Sequence, residues 1–486
     1  MSEKLSLLNG AYQFDSQRFD EVFSANGQVR EPYQLLFEQF QNFQQADYSK
    51  FSEEAKIVFF NEGITFAVYS DDQAGTEKIF PFDFIPRVIS SEEWSFIEKG
   101  VIQRNLAINS FLHDLYHEKR ILKAGIIPHD LVYSSANLLQ AMEGFTPNGG
   151  IYNHISGTDI IRHSDGQYYV LEDNVRCPSG VSYVLANRNT MKKTLPRLFS
   201  SCQPRMVVDY PEKLLATLQS VRPANTATAN CVVLSPGMYN SAYFEHSFLA
   251  QSMGIDLVEG RDLFVKNDFV YMKTIYGPKR VHVIYRRIDD PFLDPLTFNP
   301  DSVLGTPGLM NAYLSGNVTL VNAPGTGVAD DKAVYAYMPE IIEFYLGEKQ
   351  LLNNVPTYRC GVEKELQYVL EHIEELVIKP VDESGGYGIS IGNTLSKEQV
   401  KEVQEQLKAN PRKYIAQPIL SLSVHPTFIE GEQQVEPRHI DLRAFCLLGE
   451  DTQYVVPGGL TRVALKRGNL IVNSSQGGGS KDTWVF

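Results

Sequence analysis

No two of the five cysteines stand at C-x-x-C spacing; Cys177, Cys202, Cys231, Cys360 and Cys446 are scattered along 486 residues. That excludes a zinc finger or a thioredoxin-type motif, and favours reduced, mostly buried thiols over a disulfide framework. Basic charge is also short: 44 Lys and Arg stand against 58 Asp and Glu, a net charge of −14. General binding to nucleic acid or to an anionic membrane needs a basic surface, so neither is expected. No apolar run approaches a membrane span, and the opening MSEKLSLLNGAYQFDS has no apolar signal-peptide core. A cytoplasmic location is the expectation. No Cys-His arrangement offers a covalent nucleophile.

What remains is a globular composition, 43% hydrophobic and 21% charged, on a chain long enough for two or three packed units. The most informative stretch is Leu171-Glu172-Asp173-Asn174, followed by Val175-Arg176-Cys177-Pro178-Ser179-Gly180. On a strand, residues two apart point the same way, so Glu172 and Asn174 present a carboxylate and an amide oxygen together. Oxygen donors of this kind suit Mg²⁺, which joins one or two carboxylates to a substrate phosphate. Alone, the same residues read as a strand with a solvated acid running into a turn.

Upstream, His154 to Arg162 alternates in character, turns at Asp165-Gly166 and returns as Gln167 to Glu172, a hairpin pattern that brings Asp159 beside Glu172. Two hundred residues downstream, Leu376-Val377-Ile378-Lys379-Pro380 is an apolar strand delivering a lysine. It runs into Ser384-Gly385-Gly386-Tyr387-Gly388. Glycines let backbone N–H groups approach an anion and the lysine adds a point charge, which makes a phosphate clamp. The Walker spacing is absent, as is G-x-G-x-x-G between strand and helix. A surface lysine and a hairpin turn are the competing reading.

LEDNVRCPSG and VIKPVDESGGYGI, in this order, resemble the metal strand and the lysine strand with phosphate loop of the ATP-grasp family, in its circularly permuted form related to the ligase domain of glutathionylspermidine synthetases. In ordinary ATP-grasp ligases the lysine and glycine loop precede the E-x-N pair; here Glu172 and Asn174 precede Lys379. The resemblance extends over residues 100–486. It implies an α/β (α+β) ATP-grasp fold with a pre-ATP-grasp-like α/β domain, and ATP with Mg²⁺ as the nucleotide and metal.

The resemblance also implies site residues. Asp159 would complete the metal set with Glu172 and Asn174, and Lys332 would be a second phosphate lysine beside Lys379 and the loop Ser384, Gly385, Gly386 and Gly388. The run Tyr414 to Pro418, with Gln417, has the character of the hinge whose backbone meets adenine. His439-Ile440-Asp441-Leu442-Arg443 alternates so that Asp441 and Arg443 share a face that looks into the ATP cleft, or else lies half-exposed on an edge strand. Arg462 resembles the arginine that steadies the transferred phosphate, and Asn473 lies where a polar residue approaches the metal. Arg286 and Arg287 follow a strand at Val281 to Tyr285, and Arg287 is a candidate at the acceptor cleft; a surface charge cluster is the alternative.

Four segments are expected: 1–95, short helices without evident chemistry; 96–205, carrying the metal strands; 206–328, a pre-ATP-grasp-like unit with the β-α-β pattern 230–234, 240–253 and 255–258; and 329–486, the nucleotide lobes, with a helical stretch from 329 through 346. Gln103, Arg104 and Asp114, on a helical stretch within 100–125, could reach a substrate. Gly237, Asn240 and Ser241 read either as an anion-binding helix start or as an ordinary cap. The glycine-rich stretch before Phe486 reads as site or as a disordered tail. The implied activity is an ATP-dependent carboxylate–amine ligase acting on small-molecule or peptide substrates through an acylphosphate. An ATP-grasp phosphotransferase on a small acceptor and a non-catalytic ATP-binding module are the alternatives. No amidase unit accompanies the pattern and no arginine lies in the SGGYG loop, so polyamine and glutathione specificity do not carry over.

Overall fold

A computed structural model describes residues 12, 18–70, 73–224, 226–381, 388–468, 472 and 478–486. Its centre is a sheet of nine strands built around the 15-residue strand Gln434–Leu448. On one side of that strand lie Ile155–Arg162, then Tyr168–Asn174, then Asn353–Asn354; on the other lie Leu460–Val463, Gly479–Val485 and Phe82–Ile89. Val424–Ile429 and Gln453–Val455 pair with its two ends. Alternation along the long strand splits its side chains between two cores. Leu442, Ala444 and Cys446 pack with Trp94, Ile97 and Val101 of the helix Ser91–Tyr116, while Phe445 and Leu447 pack with Val181, Tyr183 and Val184 of the helix Val181–Thr194. Asp441 and Arg443 belong to the second face.

The helix Ser91–Tyr116 starts nine residues before the sequence pattern suggests, because Ser90 and Glu93 close a capping box. Ser90 Oγ accepts from the Glu93 N–H at 3.2 Å, and the Glu93 carboxylate accepts the Ser90 N–H at 3.3 Å. The proline-flanked stretch Ile79 to Pro86 contains the start of the strand Phe82–Ile89, which is parallel to Gly479–Val485. Pro86 is tolerated because the register shifts there: Asp83 pairs with Lys481 and Arg87 with Thr483, so the proline sits in a bulge on an outer strand. The first 95 residues hold more than short helices. They include the 17-residue helix Gln45–Asn61, the strands Thr65–Ser70 and Gln73–Ile79, and this outer strand of the main sheet. The segment after the C-terminal glycines is no loose tail: Gly479–Val485 is buried throughout.

Two four-stranded sheets accompany it. Cys231–Leu234, the helix Tyr243–Met253 and Asp256–Val258 form a parallel β-α-β unit, close to the expected boundaries. Val283–Arg286 and Thr319–Val321 extend it on the opposite side, all four strands parallel. The other sheet is antiparallel, in the order Tyr358–Arg359, Tyr414–Pro418, Leu376–Pro380, Ser390–Ile391. The helices Glu363–Glu371 and Lys397–Ala409 cover it through Leu366, Val369, Val403 and Leu407. All five cysteines are free, four of them buried. No helix among the described residues is long and apolar enough to cross a membrane.

Candidate active site

The hairpin of Ile155–Arg162 and Tyr168–Asn174 turns at Gly166, whose φ of 80° suits glycine. Its register sets Asp159 directly opposite Glu172 and Gly157 opposite Asn174. The next strand sets Arg443 opposite Asp159, and one row further along Asp441 stands opposite Arg462 and Arg462 opposite Ser480. Directly opposed residues in an antiparallel pair share a face. Two adjacent rows, Glu172–Asp159–Arg443 and Asp441–Arg462–Ser480, therefore make one polar stripe on the face beside the helix Val181–Thr194.

The stripe is tightly bonded. Arg443 forks onto Asp159, Nε to Oδ1 at 2.5 Å and Nη2 to Oδ2 at 2.7 Å, and Arg462 Nη2 donates to Oδ2 at 2.8 Å. Burial pushes the Asp159 carboxyl up, but Arg443 and Arg462 outweigh it and hold the group well below the ordinary carboxylate range. Arg462 also donates through Nε to Asp441 Oδ1 at 2.8 Å and pairs with the other Asp441 oxygen. Arg443 Nη1 reaches the Ser179 carbonyl at 3.2 Å, and a Cβ at Gly157 would stand 3.2 Å from Arg443 Cδ, so the glycine leaves room for the fork.

Glu172 is freer. Lys332 Nζ lies 3.3 Å from its Oε2, and Arg443 Nη2 lies 3.9 Å from Oε1. Asn174 donates Nδ2 to the Gly157 carbonyl at 3.1 Å, which turns its amide oxygen the other way. These two groups fit a magnesium ion that keeps waters and phosphate oxygens for its remaining positions. Asp159 fits less well, because its two oxygens already accept three arginine N–H groups; it positions Arg443 and Arg462. Among the described residues there is no cluster of three or more His, Cys, Asp or Glu able to hold a metal.

Lys379, on Leu376–Pro380, donates to Gln417 Oε1 at 2.6 Å, and Gln417 Nε2 donates to Thr357 Oγ1 at 3.0 Å. The Gln417 side chain is thus committed to the lysine, while the strand that carries it ends at Pro418. Burial brings the Lys379 ammonium down to about 8; Glu172 opposes and Lys332 reinforces the shift, with Asp159 opposing. Gly388, at φ 69°, follows the loop. Ser384, Gly385 and Gly386 lie outside the described residues, as does Asn473. Lys332 opens the helix Lys332–Tyr335, whose cap is Asp331 accepting the Ala333 N–H at 2.8 Å.

Other expected contacts lie elsewhere. Arg287 is buried beyond the stripe, donating to the Pro178 carbonyl at 2.6 Å and to Glu245 Oε1 at 2.9 Å. Glu245 in turn accepts the Gly180 and Ser182 N–H groups, so this pair ties the 178–182 turn to the parallel sheet. Gln103, Arg104 and Asp114 have structural partners instead of an open cleft. Arg104 is fully buried and forks onto Asp173, Gln103 bonds Glu348 and Lys349, and Asp114 bonds Tyr345 and the 120–121 backbone. Gly237 donates to Ser235 Oγ and Asn240 caps Ala242, an ordinary helix entry.

Two residues absent from the expected set join the site. Asp330 accepts the Val175 N–H at 2.6 Å and lies 3.5 Å from Arg176; burial lifts its carboxyl to about 6 against Arg176 and that N–H. Asn322 accepts the His154 and Ile155 N–H groups and donates to the carbonyls of Ile155 and Val175, clipping both ends of the hairpin to the parallel sheet.

A nucleotide-type lysine strand following a carboxylate hairpin in chain order is the arrangement of a circularly permuted ATP-grasp protein. Residues 86–464 match the family described as circularly permuted ATP-grasp type 2, and the chain belongs to that family. An uncharacterized protein of Synechocystis sp. is 52% identical over 468 residues, covering 96% of this chain and 97% of that one. A protein of Frankia alni named "Putative glutamate--cysteine ligase 2-3" is 39% identical over 471 residues; the match covers 96% of this chain but 54% of that protein. In the apo form, a glutathione synthetase-like effector of Globodera pallida superposes with a TM-score of 0.59 at 12% identity, over 92% of this chain and 98% of that one, a likeness of fold.

Proposed function

We propose that the protein is an ATP-dependent carboxylate–amine ligase working through an acylphosphate. The observation that carries the reading is the convergence of Lys332, Lys379, Arg443 and Arg462 on the carboxylates of one sheet face. Cations held this way offset charge that develops on a transferring phosphoryl group. The name of the Frankia alni relative supports amide formation as the outcome.

In this reading Lys379 and Lys332 bind ATP phosphates, Arg462 and Arg443 face the γ-phosphoryl group, and Glu172 with Asn174 hold Mg²⁺. The metal, when bound, neutralises phosphate charge and orients the chain of phosphates. A carboxylate oxygen of the acid bonds to the γ-phosphorus as the bond to the β,γ-bridging oxygen breaks, and ADP leaves with the electron pair. The amine nitrogen then adds to the acyl carbon, loses a proton, and phosphate departs with the C–O electron pair. Arg287, through Glu245 and the Pro178 carbonyl, holds the turn beside the acceptor; the loop with Ser384, Gly385, Gly386 and Gly388 excludes water. Gln417 orients Lys379.

The direct test is phosphate release with ATP and Mg²⁺ across acids and amines supplied singly and in pairs, with mass spectrometry of the products. Release that requires both, with a condensed product, is expected; a phosphorylated acceptor or no turnover on any pair refutes the ligase.

A pH effect follows from Lys379. Its ammonium is held near 8 in the free protein, and bound triphosphate raises it. Above about pH 8 ATP binding is therefore expected to take up a proton, with affinity falling as pH rises. Calorimetry in two buffers of different ionisation enthalpy reads the uptake. Equal heats in both buffers, or the same uptake in Lys379→Met, would count against this role.

A further inference from the structure

The arginines at the centre of the molecule use their terminal nitrogens: Arg104, Arg286, Arg287, Arg443 and Arg462 each donate from at least one Nη group. Arg176 does not. Its closest approaches to carboxylates are made by Nε, 3.4 Å from Asp289 Oδ1 and 3.5 Å from Asp330 Oδ2, and neither Nη group donates a hydrogen bond among the described residues. The side chain is nonetheless held in place. It is 24% exposed, and its Cδ passes so close to Gly327 that a Cβ there would stand 3.2 Å away. A stem fixed in this way presents an unused planar fork, the geometry that grips a carboxylate.

Asp289 completes the setting. Its side chain is 47% exposed, and it sits in the loop leaving the C-terminal end of the strand Val283–Arg286. Here the parallel sheet changes direction: Cys231–Leu234 leads to its neighbour Asp256–Val258 on one side, and Val283–Arg286 to Thr319–Val321 on the other. Ligands of open α/β sheets take the crevice at such a point. Arg176 enters the crevice from the other body of the site, two residues after Asn174 on the proposed metal strand.

We propose that Arg176 and Asp289 form the head-group site for an α-amino dicarboxylic acid, Arg176 taking the α-carboxylate and Asp289 the α-ammonium. This rests on the ligase reading and names its acid. With the α-carboxylate engaged, the side-chain carboxyl is the one that faces the nucleotide. A zwitterionic head suits the pocket because Asp289 and Asp330 repel a lone anion there and Arg176 repels a lone cation.

The test is equilibrium dialysis of the full chain with radiolabelled L-glutamate and L-aspartate, in the presence of Mg²⁺ and β,γ-methylene ATP. Competition by the α-amides and N-acetyl derivatives follows. At least one free amino acid is expected to bind, and each blocked derivative to bind roughly ten- to a hundred-fold more weakly. Arg176→Gln should bring the free acid down to the level of its α-amide, Asp289→Asn to that of its N-acetyl form, and Arg176→Lys should recover part of the loss. Nucleotide affinity stays unchanged in all three. Failure of both acids to bind, equal binding of the blocked forms, or a loss that falls on the nucleotide in Arg176→Gln overturns the assignment. The wild-type competition stands even where a variant fails to fold. Amino-acid binding without turnover would overturn the ligase and leave the head-group site.

Discussion

Arg462→Met is expected to destabilise the fold by about 3–5 kcal/mol at neutral pH and to lower ATP turnover on the order of 10³-fold or more. Arg462 is buried and is the partner of two buried carboxylates, Asp159 and Asp441. Asp159 keeps Arg443 when Arg462 is lost. Asp441 has no other ion-pair partner among the described residues, so it becomes an uncompensated charge. Burial raises the Asp441 carboxyl even with Arg462 present, and without it the folded-state value rises further. A carboxyl raised on folding contributes stability that is full below its unfolded value and is lost as pH rises through the folded one. The penalty of Arg462→Met must therefore shrink on acidification and be smaller at pH 5 than at pH 8. Urea unfolding at the two pH values measures it, and the double variant Arg462→Met, Asp441→Leu should regain most of the stability and none of the activity. A single variant as stable as wild type at pH 8 would remove the buried network from the account.

How much of this was legible depends on the separation over which a residue finds its partner. Glu172 beside Asn174 follows from the period of a strand and the hairpin from one Asp-Gly turn, both local, but the turn alone would set Leu171 opposite Asp159; a β-bulge between Val170 and Glu172 brings Glu172 there instead. The common face of Asp441 and Arg443 follows from the same period. The helix start at Ser90 was available too, as Ser-x-x-Glu before an apolar run, and the stronger apolar spacing after Gly100 masked it. A charged residue on an apolar helix looks free for a ligand, but the partner of Arg104, Asp173, stands 69 residues away on the back of the proposed metal strand. The engagement of Asp159 by Arg462 spans 303 residues and that of Asn322 with the hairpin 168 or fewer, so no local pattern carries either. Asp330 had a faint signal. In Asp330-Asp331-Lys332 one acid caps the helix, and the other is left for a different partner.

Strand period also sets the second large effect, because Glu172 and Asp173 are neighbours in sequence and opposites in role. Glu172→Gln keeps the shape of a side chain that is 24% exposed and whose nearest partner is Lys332, so its cost to stability should stay within about 1 kcal/mol. Yet in the proposed site it removes a carboxylate whose oxygens are not already taken by arginine N–H groups, and turnover is expected to fall by roughly 10²–10³-fold. Asp173→Asn should do the reverse. Asp173 is buried on the opposite face, where Arg104 donates Nε at 3.1 Å to both of its oxygens and Nη2 at 2.5 Å. Neutralising it leaves a buried guanidinium without its counter-charge, a loss of about 3–5 kcal/mol with the Mg²⁺ dependence of the surviving protein intact. Magnesium titrations of turnover, set beside urea unfolding of both variants, read the two effects independently. If Glu172→Gln turned over near the wild-type rate, or Asp173→Asn shifted the magnesium requirement, the metal strand would be facing the wrong way and the proposed site would fail with it.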